Sequence, residues 1–238
     1  MQAGIKIDIA HKVVIRLYIP EKFVEGETLK LPRKELHYFK KVRRGDELCE
    51  VFNREGQFAR ARLEADGYLR IESMLEKNFL PSPVKLAVGL PEKQVLKKIV
   101  LSLSEMGVSE LILFGASRSQ AWEKRKGGLA KLEDQCIEAA RQCGRVDLLK
   151  VQALSFEQLL SLDEGAHRVF LDEDPGLKGG VQLAQKPSLV VVGCEGGWTA
   201  QERDALNQGG FEPVHLPTAT LRVETAVTCA AFLGLMNS

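Results

Sequence analysis

The 238-residue sequence lacks the features that mark several large classes of protein. No apolar run approaches the roughly 20 residues that a membrane-spanning helix needs, so we expect no membrane segment. The N-terminal residues alternate short apolar runs with charges and lack the continuous apolar core of a signal peptide, which predicts a cytoplasmic protein. The formal net charge is only +1, so the overall charge does not by itself indicate nucleic-acid binding.

Paired cysteines are also missing. The five cysteines are scattered, odd in number and form no C-x-x-C pair, which indicates neither a disulfide framework nor a zinc site. We therefore expect no bound metal, and small buried hydrophobes in a reducing compartment are the favoured interpretation. Cys194 lies in an unusual loop and could be a nucleophile, but no histidine lies near it in sequence to activate the thiol.

What charge there is lies unevenly along the chain. Residues 1–80 carry a net charge of +3, and the remainder carries −2. The stretch HYFKKVRR, residues 37–44, interleaves basic and aromatic side chains in a way that suits a polyanion with stackable bases. A solvated charged face is the alternative, since most single clusters of this kind are no more than that.

The first 80 residues predict a small antiparallel sheet or barrel. Short strands alternate with turn-forming residues, and one short helix covers 33–42. The predicted strands are 13–19, 46–52, 57–64 and 68–74. The stretch NFLPSPVK, residues 78–85, contains two prolines and predicts a linker between this module and the rest of the chain.

After Pro83 strands alternate with helices, which predicts an α/β domain with a parallel sheet covered on both faces. The predicted strands are 84–90, 110–114, 148–154, 167–174, 188–193 and 211–217, and the helices are 92–107, 127–144, 155–162, 199–210 and 221–236. The chain thus divides into a module over 1–80 and an α/β domain over 84–238. Ligands of open α/β sheets bind beyond the carboxyl ends of the strands.

The loop Gly193–Trp198 lies at such a strand end. Three glycines open the backbone to close approach, and Thr199 with Glu202 matches a capping box that starts a helix. The loop is neither G-x-G-x-x-G nor a Walker loop, and the Glu195 carboxylate would repel a phosphate. Two interpretations remain open from these residues: a ligand-binding loop, or a tight turn with a structural glutamate.

A second strand end and helix start come close together in the last 30 residues. Arg222 and Glu224 flank the beginning of the final helix, where the helix dipole favours the glutamate and disfavours the arginine. An arginine in that place needs a carboxylate partner or an anionic ligand. Glu195 and Glu224 are the candidate partners.

These motifs resemble the SPOUT-class 16S ribosomal RNA (uracil-N3)-methyltransferases. VVVGCEGGWTAQE followed by LRVETA is similar to the family's C-terminal signature. The similarity extends upstream to KKIVLSLSEMGVSELILFGASRSQ, IEAARQCGR and HYFKKVRRGDELCEVFNREG, and so covers nearly the whole chain. Three positions depart from the pattern: Cys194 replaces a proline, Pro217 a glycine and Ala219 an arginine.

The resemblance implies a parallel sheet with a C-terminal trefoil knot and a PUA-like N-terminal β-barrel. It also implies S-adenosyl-L-methionine as cofactor, with adenine among apolar groups such as Leu216 and Leu221. The implied cofactor-binding residues are Gly193, Cys194, Glu195, Gly196, Gly197, Leu216, Pro217 and Leu221.

The expected reaction is methylation of uracil N3 in 16S ribosomal RNA, in the free RNA or in the small ribosomal subunit. Loss of the N3 proton leaves an anion that Arg222, as catalytic residue, or Arg118 could stabilise. The predicted RNA-binding residues are Lys40, Lys41, Arg43, Arg44, Arg118 and Arg145.

Two further interpretations compete with this one. An RNA-binding ribosome-assembly protein with a decayed cofactor pocket is favoured by Pro217 and Ala219, whereas a small-molecule α/β enzyme fits poorly with the N-terminal module. A homodimer is expected in part from the resemblance and in part from the final helix, which is apolar around most of its circumference. Burial of that helix in the core of its own chain is the alternative.

Overall fold

The chain consists of two compact units, Met1–Asn78 and Phe79–Ser238. The structure, a computed structural model, describes residues 15–42, 47–64, 67–76, 82–119, 132–163, 166–174 and 189–236.

The first unit is built on a five-stranded mixed sheet with the strand order β1-β3-β4-β5-β2. Its elements are β1 (Arg16–Tyr18), β2 (Thr28–Lys30), α1 (Arg33–Val42), β3 (Leu48–Phe52), β4 (Phe58–Leu63) and β5 (Tyr68–Met74). The predicted antiparallel arrangement is wrong for β1, which pairs with β3 in parallel. The intervening β2 and α1 make the connection long enough for parallel pairing. The three-residue β2 was not predicted.

The first unit encloses its own core beneath α1. Leu17, Phe39, Val51 and Leu69 are completely buried. Glu35 on the inner side of α1 is also buried, and its Oε2 accepts a hydrogen bond from the Tyr18 N–H at 3.0 Å. The carboxylate therefore ties α1 to β1 through a backbone N–H.

The second unit is an α/β domain with a six-stranded sheet of order β11-β9-β10-β6-β7-β8. Every pairing in it is parallel, as predicted. Its strands are β6 (Ser82–Gly89), β7 (Val108–Phe114), β8 (Lys150–Leu154), β9 (Arg168–Leu171), β10 (Leu189–Val192) and β11 (Glu212–Val214). Its helices are α2 (Lys93–Glu105), α3 (Leu132–Cys143), α4 (Phe156–Leu160), α5 (Ala200–Gln208) and α6 (Val223–Met236).

The predicted linker over 78–85 ends earlier than expected, because β6 already begins at Ser82 and includes Pro83. Proline lacks the N–H that a regular ladder requires and is tolerated in a strand at an irregularity. The register between β6 and β7 shifts between Ser82 and Lys85, which is such a place.

The final helix is buried along one side and exposed along another. Val227 and Ala230 are completely buried, and a Cβ added to Gly234 would lie 2.4 Å from Val84 Cγ2, so the helix packs closely on β6. Phe232 is 54% exposed. Burial in the domain's own core therefore accounts for much of the apolar circumference of α6, but not for Phe232.

Four neighbouring strands, β11, β9, β10 and β6, bring their carboxyl ends to one edge of the sheet. The loops that follow them lie together at this edge, where ligands of such sheets bind. Within the described ranges, none of the helices is both long and apolar enough to cross a bilayer.

Candidate functional site

A cavity of about 880 Å³ opens at this edge of the sheet. Its volume lies in the range of about 300–1,000 Å³ that is typical of small-molecule sites. It is lined by the β9 end, the glycine loop after β10, the segment between β11 and α6, and the start of α2. Apolar side chains contribute, including Val95, Leu216 and Leu221, together with charged groups.

The glycine loop, residues 193–197, depends on close backbone approach more than on unusual backbone angles. Of its three glycines, only Gly197 has a positive φ, +65°. A Cβ on Gly193 would lie 3.2 Å from the Trp198 ring. On the neighbouring strand β6, a Cβ on Gly89 would lie 2.7 Å from the Cys194 nitrogen, so the two chain segments meet nearly backbone to backbone.

Trp198, the residue directly after the glycine loop, anchors this loop in the apolar core. Its buried ring stacks on Phe114 at a centroid distance of 6.1 Å and meets the Phe170 ring edge-on. Its indole N–H donates to the Leu171 carbonyl at 2.8 Å, which joins the loop to the end of β9. Cys194 is buried in the same cluster, so its position agrees with packing and not with a nucleophile.

Two further contacts hold the loop from its sides. The Arg118 guanidinium donates to the Gly196 carbonyl at 2.6 Å, and a Cβ on Gly196 would lie 2.8 Å from Arg118 Cβ. The Glu195 carboxylate accepts a hydrogen bond from the Glu92 N–H at 2.8 Å, just before α2. Glu195 thus joins the loop after β10 to the loop after β6.

Asp172, directly after β9, connects the most elements at the site. Its carboxylate is held by Arg203 of α5 through two hydrogen bonds of 2.7 and 3.0 Å. Its backbone N–H donates to the Val214 carbonyl of β11, and Arg203 also donates to the Trp198 carbonyl. The hydrogen bonds that Arg203 donates to Asp172 raise the already high pKa of its guanidinium.

His215 is the histidine of the cavity wall. Its Nδ1 lies 3.1 Å from the Asp172 backbone carbonyl oxygen. Because a carbonyl only accepts, Nδ1 must be the protonated donor, and in the neutral ring Nε2 then has the free lone pair. His215 and Leu216 both line the cavity, whereas Pro217, next in the chain, is exposed outside it.

Glu202 fixes the start of α5 to the loop that follows β7. It completes the predicted capping box with Thr199, and its Oε1 accepts from the Ser117 N–H at 2.7 Å. Burial by itself would raise the pKa of Glu202, but hydrogen bonds from Thr199 and Ser117 outweigh it and hold the pKa below its ordinary value.

Arg222 lies at the beginning of α6 on the cavity wall and is exposed. The predicted ion pairs with Glu195 or Glu224 are not formed. Glu224 instead lies 3.2 Å from Lys98 of α2. The pKa of Glu224 is lowered first by its own backbone N–H and then by Lys98. Arg222 forms no ion pair with a carboxylate in the part of the chain that the structure describes.

The predicted RNA-binding residues have different fates. Lys40 and Lys41 are exposed at the end of α1, whereas Arg43 and Arg44 lie outside the described residues. Arg145 is buried: its guanidinium binds Asp147 at 2.8 and 3.1 Å and donates to the Val108 carbonyl. It ties the segment after α3 to β7 and presents no surface to RNA, so we remove it from the predicted set.

Comparison with known proteins identifies the family to which this chain belongs. The RNA methyltransferase domain family matches residues 78–234. The chain belongs to this RNA methyltransferase family. It is 30% identical over 236 residues to ribosomal RNA small subunit methyltransferase E of Synechocystis sp., covering 93% of this chain and 76% of that protein. It is 27% identical to the protein of the same name from Bacillus subtilis, covering 87% and 89%.

Solved structures share the fold. A ribosomal RNA small subunit methyltransferase E from Neisseria gonorrhoeae, bound to S-adenosyl methionine, matches with a TM-score of 0.83 at 22% identity, covering 94% of this chain and 96% of that one. A methyltransferase from Legionella pneumophila, in complex with the same cofactor, matches with a TM-score of 0.81 at 23% identity, covering 94% and 98%.

Several residues in and behind the cavity wall were not singled out from the sequence as site residues. Lys98, Asp172 and His215 line the cavity, and Arg203 lies behind the wall against Asp172. They come from distant segments of the chain and share no local motif. A sequence signal existed for Asp172 and His215, since both lie near the carboxyl ends of predicted strands, 167–174 and 211–217. Among the described residues, no cluster of three or more His, Cys, Asp or Glu side chains could hold a metal ion.

We expect E202Q to lower the free energy of unfolding by about 1–2 kcal/mol at pH 7, because the charged acceptor of three donors becomes neutral. The folded pKa of Glu202 is depressed, so its stabilisation is complete above the ordinary glutamate pKa of about 4.3. It is lost as the pH falls through the folded pKa, and the two proteins should converge in acid.

Urea unfolding at several pH values measures this difference. D204N, at an exposed site on the same helix, is the control and should match the parent protein. Equal stability of E202Q and the parent protein at pH 7 would contradict the role assigned to Glu202.

Proposed function

We propose that this protein transfers a methyl group from S-adenosyl-L-methionine to N3 of a uracil in 16S ribosomal RNA, in the cytoplasm. The observation that carries the proposal is the cavity at the carboxyl ends of β6, β9 and β10, closed by the glycine loop and bordered by Arg222. The relatives named above are ribosomal RNA small subunit methyltransferases, which supports the same activity here.

The cavity fits the cofactor in both shape and charge. Leu216 and Leu221 offer an apolar wall for adenine, and the glycine loop offers backbone groups for close contact. The charged lining consists of five carboxylates against two cations: Glu92, Asp172, Glu173, Glu195 and Glu224, with Lys98 and Arg222. This acidic surplus suits a ligand that bears a sulfonium and an ammonium group.

S-adenosylmethionine supplies a methyl group already activated on sulfur, so the protein's task is alignment and charge stabilisation. Gly193, Gly196 and Gly197 would hold the cofactor through the backbone, with Glu195 fixing the loop against Glu92. Arg222, with no carboxylate partner in the described ranges, is placed to stabilise the uracil anion that forms when the N3 proton leaves.

The arrangement of the loops around the cavity supports the proposal of a trefoil knot, which the family resemblance implies. Segments after β9, β10 and β11 meet in this one cavity, and β10 lies between β9 and β6 in the sheet. We further propose that the first unit is a PUA-like barrel, supported by its five-stranded mixed sheet and its own buried apolar core. These proposals give domains over 1–80 and 84–238.

A binding protein with a decayed pocket is the second candidate, favoured by Pro217 and Ala219 at positions where the family has glycine and arginine. Incubating the protein with methyl-labelled S-adenosylmethionine and small ribosomal subunits or free 16S RNA, followed by mass mapping, separates the two. Label on uracil N3 is expected. Cofactor binding without transfer to either RNA would contradict the methyltransferase, and no binding at all would leave the RNA-binding candidate.

We expect R222A to lower the single-turnover methyl-transfer rate roughly 10²- to 10³-fold, the usual loss when one stabilising charge contact is removed from a transition state. Melting temperature and cofactor affinity should stay close to those of the parent protein, because Arg222 is exposed and pairs with no described carboxylate. R222K, which keeps the charge, should recover part of the rate. An unimpaired R222A enzyme would exclude the catalytic role.

Replacing Lys40, Lys41, Arg43 and Arg44 together by alanine should weaken RNA binding and reduce its dependence on salt concentration. With fewer phosphate contacts, fewer counterions are released from the RNA when the protein binds. The exposed face of α1 includes further basic side chains, Arg33, Lys34 and His37. Binding titrations of 16S RNA fragments from low to high salt measure the slope. An unchanged affinity at low salt would refute the role of this surface in RNA binding. Arg118 then becomes the next residue to test.

A homodimer is proposed because α6 leaves Phe232 more than half exposed. Light scattering at micromolar concentration should give twice the chain mass of 26.4 kDa, and F232E should shift it toward the monomer. T225A, at another exposed position of α6, should leave the mass unchanged. A monomeric parent protein would reject the dimer.

A further inference from the structure

We propose that His215 recognises the adenosyl half of the cofactor, with Nε2 as a hydrogen-bond acceptor. This inference rests on the proposed function. Its basis is the position of a histidine with a fixed tautomer on the cavity wall, beside the apolar residues that suit adenine.

The tautomer follows from the wall itself. Asp172 offers His215 a backbone carbonyl, which can only accept, so Nδ1 bears the proton. That carbonyl is held in place, since the Asp172 N–H is bonded to Val214 and its carboxylate to Arg203. Nε2 is therefore the nitrogen that the ring offers to a ligand, and no described residue hydrogen-bonds to it.

The adenosyl half is the part of the cofactor that needs such a group. It presents donors, the exocyclic amine and the ribose hydroxyls, which lose water when they enter a cavity and must find acceptors. On this wall the Asp172 carboxylate is already occupied by Arg203. His215 directly precedes Leu216, one of the two leucines proposed to contact adenine, and so supplies an uncommitted acceptor next to it.

Two substitutions separate the two ring nitrogens. H215N keeps a short amide that can donate to the Asp172 carbonyl, as Nδ1 does, but it does not reach the position of Nε2. H215Q places an amide oxygen at about the distance of Nε2 and does not titrate. The pair thus distinguishes loss of the acceptor from loss of the wall contact.

Calorimetric titration with S-adenosylhomocysteine at pH 8 is the test. We expect H215N to bind roughly three- to tenfold more weakly, the range for one net hydrogen bond, and H215Q to bind within about twofold of the parent protein.

H167N is the matched control, since His167 precedes β9 at the opposite end of the strand and pairs with Glu212. It should leave the affinity for S-adenosylhomocysteine unchanged.

Methylthioadenosine locates the contact, because it keeps the nucleoside and lacks the amino acid. The ratio of affinities between the parent protein and H215N should be the same for it as for S-adenosylhomocysteine. Equal binding by H215N and the parent protein, or a ratio of one with methylthioadenosine, would overturn the assignment of His215. A parent protein that binds neither compound would overturn the proposed function as well.

Discussion

The bidentate ion pair between Asp172 and Arg203 is the interaction on which the geometry of the cavity most depends. Asp172 is 7% exposed, and its carboxylate without a partner would be costly at this depth. Arg203 satisfies it and, through the Trp198 carbonyl, holds the glycine loop in place. The backbone of Asp172 meanwhile binds β11 and His215. One residue thus sets the relative positions of three of the segments that enclose the cavity.

The sequence could predict what is encoded locally. The capping box of Thr199 and Glu202 is formed as expected, since both partners lie within one helical turn. The strand over 189–192 is buried and parallel, as its continuous apolar run indicates. The family resemblance then supplied the expectation that the loops at 193–197 and 216–221 meet, and the cavity brings most of their residues together.

What the sequence could not predict depends on contacts between distant segments. Arg222 and Glu224 are two residues apart, so an ion pair between them is a natural expectation. Glu224 instead pairs with Lys98 of α2. Arg145 was predicted to bind RNA because it lies in a motif of the family resemblance. Its guanidinium instead binds Asp147 and the Val108 carbonyl. The glycines of the loop predicted close approach to the backbone, but not by which groups: the neighbours are the Trp198 ring at Gly193 and the Arg118 side chain at Gly196. In each case a partner outside the motif decides the role.

The distribution of charge gives Arg222 its particular importance. Of the two cations that line the cavity, Lys98 is paired with Glu224, and Arg203 behind the wall is committed to Asp172. Ala219 supplies no charge at a position where the family resemblance implies an arginine. Within the described part of the cavity, Arg222 is therefore the cation without a carboxylate partner. In the proposed reaction, a negative charge that develops on the target base would face a surplus of carboxylates on the wall, and Arg222 is the side chain left to balance it.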